Sequence, residues 1–250
     1  MSADLGRPVD IQRQYYTRTA EAYDSMHAGE GATDPNVSRS VLGFLRMLEV
    51  RSLLDVGSAT GLGLKTIKEA LPNAFVCGVE PVIALVQEAV KSGRTLDMPM
   101  ICASGDALPF PDASFDVVSE FAMLHHVADP AAIVKEMMRV AQRAVFISDA
   151  NRFGQGPFFL RLIKLLLYKT RLWTLYEFIR TRGKWYQISD GDGLFYSYSV
   201  YDSYDLLAEW ADRIYVVPTG PTSSRSWFHP LLTSPSVILI ALRDPAQPRS

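Results

Sequence analysis

The sequence predicts an α/β protein in which helices cover both faces of a parallel sheet. Two observations carry this prediction. Between residues 50 and 149, short apolar runs of strand length alternate with amphipathic stretches of helical length. Pro81 and Pro130 fit first-turn positions of two of these helices, where a missing N–H costs nothing. Strands and helices that alternate in this way form parallel sheets, because each helix carries the chain back across the sheet.

Five strands and three helices are predicted between residues 50 and 149. The strands, in chain order, are RSLLDV, AFVCGV, MPMICA, FDVVSE and AVFISDA. The helices are LGLKTIKEAL, then VIALVQEAVKSG, which ends on Gly93, and PAAIVKEMMRVA, which Asp129 and Pro130 open. Strands this apolar are typical of a sheet buried on both faces.

The segments on either side of this core are also predicted to be structured. Residues 10–49 read as helical, and residues 157–182 as one or two helices. A Gly/Asp/Tyr-rich stretch, ISDGDGLFYSYSVYDSY, follows. The helix DLLAEWA and two final strands, RIYVVP and SVILIAL, complete the pattern.

Composition excludes several classes of protein. The 250 residues carry a formal net charge of -2, so no global basic field recruits nucleic acid, and we expect no such partner. No apolar run approaches the roughly 20 residues that span a bilayer, and the first residues have no secretory apolar region, which predicts a cytoplasmic protein. Cys77 and Cys102 are expected to be buried free thiols, and no Cys/His cluster has zinc spacing.

The stretch LLDVGSATGLGLKT places three glycines directly after the first predicted strand. It is not a P-loop, because Ala59 and Leu64 stand where that motif requires glycines. The dinucleotide-binding fingerprint also fails, since Ala59 and Leu62 replace its second and third glycines. The loop therefore binds a ligand other than a nucleoside triphosphate or a typical dinucleotide.

Electrostatics indicates which ligand the loop suits. Asp55 lies two residues before Gly57, at the carboxyl end of the first strand, where it repels a pyrophosphate. A ligand with positive charge fits better. S-adenosylmethionine carries an ammonium and a sulfonium, together with a carboxylate that can use free N–H groups at a helix start.

Two further acidic residues have the spacing of cofactor ligands. Glu80 closes the second strand about 20 residues beyond the loop, where a carboxylate can accept both hydroxyls of a ribose. Asp106 follows the third strand and could accept from an adenine amino group, with Ala107 and Leu108 covering the ring. An ordinary acid at a strand end and a turn-forming aspartate are the respective alternatives.

Four motifs together resemble a known family. LLDVGSATGLG, GVEP, GDALPFPDASFDVV and LHHVADP are similar, in order and spacing, to the class I S-adenosylmethionine-dependent methyltransferases, in particular the small-molecule branch that includes the ubiquinone and menaquinone enzymes. The resemblance covers residues 15–149 well. Ala59 is a departure, because the family more often has glycine there, and we expect a small backbone adjustment rather than lost binding.

The resemblance implies a Rossmann-like three-layer sandwich. Its seven-stranded sheet is mostly parallel with an antiparallel last strand, and the whole chain forms a single methyltransferase domain. Within it, the expected parts are an N-terminal helical lid over residues 10–49, a cofactor-binding core over 50–149, a helical substrate cap after the fifth strand over 150–200, and a C-terminal helix with the last strands over 201–243.

The resemblance also implies a set of cofactor contacts. Glu80 would hold the ribose and Asp106 the adenine amine, while the glycine loop lines the methionine part. Tyr16 and Tyr23 are seven residues apart on one helix face, so they can reach the cofactor together, although core packing is an equal alternative. The full set is Asp55, Gly57, Ser58, Gly61, Glu80, Pro81, Asp106, Ala107, Tyr16 and Tyr23.

A hydroxyl acceptor needs a base, and His125 and His126 follow the fourth strand on the side that faces the donor. The alternative is that they stack near the cofactor or bond to the loop backbone. A metal set of His125, His126 and Asp129 lacks a convincing fourth ligand, so we predict no metal. His229 approaches the site only if the C-terminal segment folds back.

The segment after the fifth strand is expected to select the substrate. In PFFLRLIKLLLYKTRLWTLYEFIRTRGKW, basic residues outnumber the lone acidic Glu177. Three interpretations remain open: a cap that lines a pocket for a lipophilic or aromatic acceptor, a peripheral membrane contact through residues 158–184, and a helix packed on the core with a solvated basic edge.

The Gly/Asp/Tyr-rich stretch that follows is not a calcium loop, because Tyr201 stands where the closing glutamate is needed. Its two Asp-Gly pairs indicate a turn instead. The next aromatic residues, Phe195, Tyr196 and Tyr198, could form a substrate wall.

The functional prediction is methyl transfer from S-adenosylmethionine to a small molecule, with a hydroxyl oxygen of a lipophilic, aromatic or glycosyl compound as the acceptor. One alternative is a binding protein that has lost catalysis and serves as a regulator or partner. The other is an NAD(P)-dependent oxidoreductase. The oligomeric state stays open.

Overall fold

The computed structural model describes residues 7–219 and 227–244, and in these ranges the chain forms nine strands. All five strands predicted between residues 50 and 149 are present. The strands are Ser52–Val56 (β1), Phe75–Val79 (β2), Met100–Ile101 (β3), Phe115–Phe121 (β4), Ala141–Ala150 (β5), Tyr186–Ser189 (β6), Gly193–Tyr196 (β7), Arg213–Pro218 (β8) and Ser236–Leu242 (β9).

Seven of the described strands form one sheet in the order β3-β2-β1-β4-β5-β9-β8. β1 pairs in parallel with β2 and β4, whereas β9 runs antiparallel to both β5 and β8. The mostly parallel sheet with an antiparallel last strand is therefore confirmed. β2 and β3 lie on one side of β1, and β4 and β5 lie on the other. Open α/β sheets bind ligands at such a switch point, at the carboxyl ends of the strands.

Helices flank the sheet and supply its connections. In the same described ranges they are Pro8–Thr19 (α1), Tyr23–Met26 (α2), Pro35–Met47 (α3), Leu62–Ala70 (α4), Ile83–Lys91 (α5), Pro130–Val140 (α6), Phe158–Lys169 (α7), Trp173–Arg180 (α8) and Tyr204–Trp210 (α9). Of the two predicted proline positions, the one at Pro130 is confirmed. Pro81 precedes Val82, the N-cap of α5, so it lies outside the first turn of that helix. Asp129 is the N-cap of α6, where its side chain accepts from the backbone N–H of Ala132, and Pro130 occupies the first turn.

The core consists of two apolar layers, one on each face of the sheet. Alternate residues of β1 point to opposite layers, with Leu54 in one and Leu53 in the other. β9 divides in the same way, with Leu239 in the first layer and Ile240 in the second. Burial of each such side chain contributes about 1.5–3 kcal/mol, so both faces of the sheet stabilise the three-layer sandwich.

The prediction of two buried thiols is wrong for one of them. Cys77 lies inside β2 and is buried, but Cys102 is exposed. The reason is that β3 has only two residues and ends at Ile101, at the edge of the sheet. Cys102 therefore follows the strand and does not lie within it.

The segment after β5 forms two helices and a hairpin. α7 and α8 occupy the predicted helical stretch, and β6 and β7 pair antiparallel around the turn that contains the two Asp-Gly pairs. Gly193 has a φ of +70°, a conformation that favours glycine. None of the described helices is both long enough and apolar enough to cross a membrane.

Candidate functional site

The turn after β1 lies at the carboxyl edge of the sheet and is fastened to the neighbouring strand. The backbone N–H groups of Gly57 and Ser58 both donate to the carbonyl oxygen of Val79, at 2.8 and 3.1 Å. Gly57 has a φ of +79°, and a Cβ there would stand 2.6 Å from Cγ of Met123. The position therefore requires glycine for both conformation and space.

Glu80 is fixed between this turn and the start of α5. One carboxylate oxygen accepts from the backbone N–H of Ala59 at 3.0 Å, and the other from that of Val82 at 2.8 Å. Only 5% of the residue is exposed. Burial raises the pKa of Glu80 to about 7, although both backbone hydrogen bonds act against this rise. The carboxylate is oriented before any ligand arrives.

Asp55 is a second buried carboxylate at the end of β1. Its Oδ1 accepts from the hydroxyl of Ser119 at 2.8 Å. Burial raises the pKa of Asp55 to about 7 against the lowering effect of that hydrogen bond, and the charge of Glu80 adds to the rise. Two neighbouring carboxylates with raised pKa values create a site where a cationic ligand is favourable.

Two adjoining cavities of about 480 Å³ each open at this edge. The Glu80 cavity is bounded by Glu80, by the loop after β3 and by α1. The Asp192 cavity is bounded by Asp55, by the two histidines after β4 and by the β6–β7 turn. The cavities share residues of the glycine turn and of the N-terminal helices, so together they form one continuous site.

Eight of the ten predicted cofactor residues line these cavities. Gly57, Glu80, Pro81, Asp106, Tyr16 and Tyr23 line the Glu80 cavity, while Asp55 and Ser58 line the Asp192 cavity. The structure does not bring the other two there.

Gly61 and Ala107 lie outside both cavities. A Cβ on Gly61 would point toward Sδ of Met100 at 3.0 Å, because Gly61 begins α4 on the side of the turn that packs against β3. Ala107 is exposed in its loop. Leu108, expected to cover an adenine ring, is buried in the core instead.

The N-terminal tyrosines line the candidate site and also pack against apolar neighbours. The rings of Tyr16 and Tyr23 are 5.7 Å apart in an edge-on arrangement, and both line the cavities. They also pack against a small buried cluster that includes Val82 and Leu85. Burial raises the pKa of both phenols, so both stay protonated.

His125 stands between two carboxylates. Its Nδ1 is 2.8 Å from Oδ1 of Asp149, whose other oxygen accepts from the backbone N–H of His125 at 3.2 Å. Its Nε2 faces Oδ2 of Asp192 at 3.5 Å. Burial lowers the pKa of His125, but the two carboxylates outweigh burial and raise the pKa to about 10.

His126 is fixed by its surroundings as firmly as His125. Its Nδ1 is 2.7 Å from the carbonyl oxygen of Leu194 in β7, and 3.1 Å from Nε2 of Gln12 in α1. Its Nε2 lies 3.0 Å from the Tyr16 hydroxyl and 3.3 Å from Oδ1 of Asp192. The ring therefore joins the N-terminal helix to the hairpin.

Three residues of this cluster were missed by the sequence reasoning. Asp149 is the last residue but one of β5, which neighbours the strand that the histidines follow. The strand-end rule that selected Asp55 and Glu80 therefore applies to it as well. No sequence motif near Gln12 or Asp192 indicates a role in the site, because their contacts with the histidines form only when α1 and the hairpin pack together.

The alternative metal set is not assembled. Asp129 caps α6 and does not join the histidines. Within the described residues, ligand atoms of His125, His126 and Asp192 lie within 4.8 Å of one another. The absence of a metal stays a prediction. His229 contacts Thr233 at 2.6 Å and lines neither cavity.

Comparison with known proteins identifies the family. A family model described as a methyltransferase domain matches residues 54–147. The demethylmenaquinone methyltransferase of Roseiflexus castenholzii is 24% identical over 180 residues, which cover 66% of this chain and 76% of that one. These matches support a class I S-adenosylmethionine-dependent methyltransferase family for the chain. It is an enzyme whose cofactor is S-adenosylmethionine, which removes the oxidoreductase alternative.

Two further relatives extend the comparison. A malonyl-[acyl-carrier protein] O-methyltransferase of Halorhodospira halophila is 28% identical over 131 residues, covering 51% of this chain and 43% of that one. The structure of a magnesium protoporphyrin IX methyltransferase of Synechocystis with bound S-adenosylmethionine matches with a TM-score of 0.59 and 17% identity, covering 97% of this chain and 100% of that one. The structural match supports the fold of this methyltransferase over nearly its whole length.

Proposed function

We propose that this methyltransferase transfers the methyl group of S-adenosylmethionine to a hydroxyl oxygen of a lipophilic or aromatic small molecule. The observation that carries the proposal is the position of His125. Its ring is oriented by Asp149 on one side, and its Nε2 lies near Asp192, which lines the same cavity as His125. An oriented imidazole at this place is what a hydroxyl acceptor needs from the protein.

The residues of the Glu80 cavity suit the cofactor. Its volume of about 480 Å³ lies within the range of about 300–1,000 Å³ for pockets that hold small ligands. In the proposal, Glu80 accepts from the ribose hydroxyls and Asp106 from the adenine amine. Tyr16 and Tyr23 cover the cofactor from the side of α1, and Asp55 lies near its cationic end.

The acceptor has a separate approach to the site. An outer groove of about 850 Å³ runs between α6, α8 and the segment after β7. It shares Val127, Ala128 and Tyr196 with the Glu80 cavity, so the two are continuous. Trp173 and Trp185 also line the groove. Such aromatic walls suit a flat or lipophilic acceptor, and they also suit a sugar ring, which keeps glycosyl acceptors in the test panel.

The predicted aromatic wall is present only in part. Tyr196 and Tyr198 line the outer groove, but Phe195 does not. Consecutive residues of β7 point to opposite faces, so Phe195 cannot share a wall with Tyr196. The cap helix α8 supplies the remaining aromatic surface.

The chemistry requires little from the protein beyond positioning and proton removal. The bound cofactor supplies an activated methyl group whose leaving thioether is neutral. His125 Nε2 takes the proton of the acceptor hydroxyl while the new C–O bond forms and the C–S bond breaks. Asp149 holds the Nδ1–H and stabilises the imidazolium that results. Before this step, the acceptor replaces Asp192 beside Nε2, which removes one of the two carboxylates that keep the ring protonated.

Turnover with a panel of phenols, aliphatic alcohols and glycosides tests the proposal. We expect His125→Gln to lower kcat by about a hundredfold to ten-thousandfold, because a general base is lost, while the affinity for S-adenosylmethionine stays unchanged. Asp149→Asn should lower kcat with the same unchanged affinity. The control is His229→Gln, a histidine that lines neither cavity.

Two results would count against the proposal. Full turnover in His125→Gln would show that His125 is not the general base. Cofactor binding without a methylated oxygen across the whole panel would favour the alternative of a binding protein without catalysis.

A further inference from the structure

The two cap helices turn apolar faces outward. In α7 the exposed residues Phe159, Leu162, Ile163 and Leu166 recur at the spacing i, i+3, i+4, i+7. In α8 and the residue before it, Leu172, Leu175, Tyr176 and Ile179 repeat the same spacing. That spacing gathers side chains on one helix face, the arrangement that helices normally bury. Here Phe159 is 71% and Ile179 66% exposed.

Burial in the cap is reversed with respect to an ordinary surface helix. α7 has no buried residue, and the one buried residue of α8 is the acidic Glu177. Glu177 is paired with Arg180 of the same helix at 2.7 Å. α8 therefore buries its carboxylate and exposes its apolar face. Among the described residues, nothing covers these apolar side chains, and an exposed apolar surface of this kind indicates a binding surface.

Positive charge borders this apolar face. Between residues 157 and 187 the sequence has seven basic residues and one acidic residue, which is Glu177. Lys169 and Arg171 precede α8, and Arg182 and Lys184 follow it, all four exposed. Among the residues that the structure describes, none of the four has an ion-pair partner. Unpaired cations thus flank both ends of α8.

An exposed tryptophan lies near the start of α7. Trp227 is 93% exposed, and its ring is 5.5 Å from that of Phe228. Phe228 in turn lies 5.8 Å from Phe158, the first residue of α7. Tryptophan is favoured at the boundary between water and lipid, because its ring is apolar and its N–H is polar.

We propose that the surface formed by α7, α8 and Trp227 docks on an anionic lipid bilayer. Helices with an apolar face and a basic border lie in the plane of the interface, with the apolar side chains among the lipids and the cations at the headgroups. A second copy of the chain is a poorer occupant. A two-fold dimer through this face sets the same cations against each other, and the one carboxylate within residues 158–184, that of Glu177, is already paired with Arg180.

Binding to vesicles tests the proposal. We expect the purified chain to float with vesicles of phosphatidylcholine and phosphatidylglycerol, and to stay in solution with phosphatidylcholine alone. The bound fraction should fall as salt is added, because exposed charges are screened. Equal binding to both kinds of vesicle, or binding to neither, would overturn the proposal.

The apolar part is tested by Phe159→Glu combined with Ile179→Glu. Both side chains are exposed and line none of the cavities, so the fold should survive, which circular dichroism checks. We expect the affinity for anionic vesicles to fall by about tenfold or more. The matched control is Val90→Glu with Leu96→Glu, which places the same charges on exposed apolar residues outside the cap. A loss of binding in the control alone, or no loss in the cap variant, would contradict the docking surface.

The charged part is tested by Lys169→Gln combined with Arg171→Gln. We expect weaker binding to anionic vesicles and a smaller salt effect. Arg39→Gln with Arg46→Gln on α3 is the control and should bind like the wild type.

Light scattering tests whether a second copy of the chain covers this face instead. A dimer that Phe159→Glu converts to a monomer, together with no binding to vesicles, would assign the face to a second copy. The proposal on hydroxyl methylation does not depend on any of these results.

Discussion

His125 is the residue whose protonation the proposed reaction depends on. With Asp149 on one ring nitrogen and Asp192 near the other, its pKa rises to about 10, well above the usual value near 6.5. A base must be neutral, and the neutral fraction of an imidazole rises with pH. The value of kcat/KM, which reports the free enzyme, should therefore rise with pH, with a midpoint above the ordinary pKa of histidine.

Asp192→Asn tests this assignment. The substitution removes one of the two charges that raise the pKa of His125 in the free enzyme, so we expect the rising limb of the kcat/KM profile to move by about one pH unit toward lower pH. Asp190→Asn is the control, because Asp190 lies in the same turn but contacts neither histidine. A limb that stays in place, or moves toward higher pH, would show that another group titrates.

Single residues were predictable where they follow a strand. Asp55, Glu80 and the two histidines were selected for that reason, and all of them line the cavities. Gly61 was selected by its motif, but it lies on the side of the turn that packs against Met100. Only the other side of this tight turn lines the cavities. Asp192 was beyond prediction, since nothing near it in sequence indicates a histidine as its partner.

Among the elements, α1 and the β6–β7 hairpin are joined over the site. Gln12 in α1 is buried, and its Oε1 accepts from the backbone N–H of Leu194 at 2.5 Å, while its Nε2 donates to the carbonyl of Asp192 at 3.2 Å. The hydroxyl of Tyr15 donates to the carbonyl of Asp190 at 3.0 Å. The N-terminal helix thus depends on the hairpin for its position over the Glu80 cavity.

Gly193→Val tests this dependence. A Cβ at Gly193 would stand 2.5 Å from Oε1 of Gln12 and 2.8 Å from Cδ1 of Tyr15, and the φ of +70° disfavours any larger residue. We expect α1 to be displaced and the affinity for S-adenosylmethionine to fall about tenfold, or ~1.4 kcal/mol, in calorimetry. Gly156→Val is the matched control, because Gly156 has a similar φ of +82°, a Cβ there meets nothing within 4 Å, and the residue lines neither cavity. Wild-type affinity in Gly193→Val would show that the lid does not matter for binding.

The strongly apolar elements were predictable and the hairpin was not. β1, β2, β4 and β5 each contain a short run of buried apolar residues, and the helices between them carry clear amphipathic patterns. The stretch SDGDGLFYSY predicted only a turn, because short polar strands lack the alternation that identifies a half-buried strand. β3 was found but is shorter than its apolar run, which is why Cys102 is exposed.

Across the whole molecule, the parallel sheet assembles the site. Asp55, Glu80, His125 and Asp149 lie near the carboxyl ends of four different strands, and parallel pairing brings those ends to one edge. Local sequence patterns predicted the strands but not their order in the sheet, because the pairing of strands depends on contacts between residues far apart in the sequence. The seven-stranded arrangement was expected only from the resemblance to a family. In the proposal, a cationic donor lies at this edge beside the buried carboxylates of Asp55 and Glu80.

Titration calorimetry with wild type and Glu80→Ala tests the central claim, that the cofactor binds in the Glu80 cavity. We predict binding of S-adenosylmethionine to the wild type, no binding of NADH, and a loss of about 1–3 kcal/mol in Glu80→Ala, because charge-assisted hydrogen bonds to the ribose are removed. Glu69→Ala, at an exposed carboxylate on α4, should bind like the wild type. Heat with NADH but none with S-adenosylmethionine, or unchanged affinity in Glu80→Ala, would contradict the account.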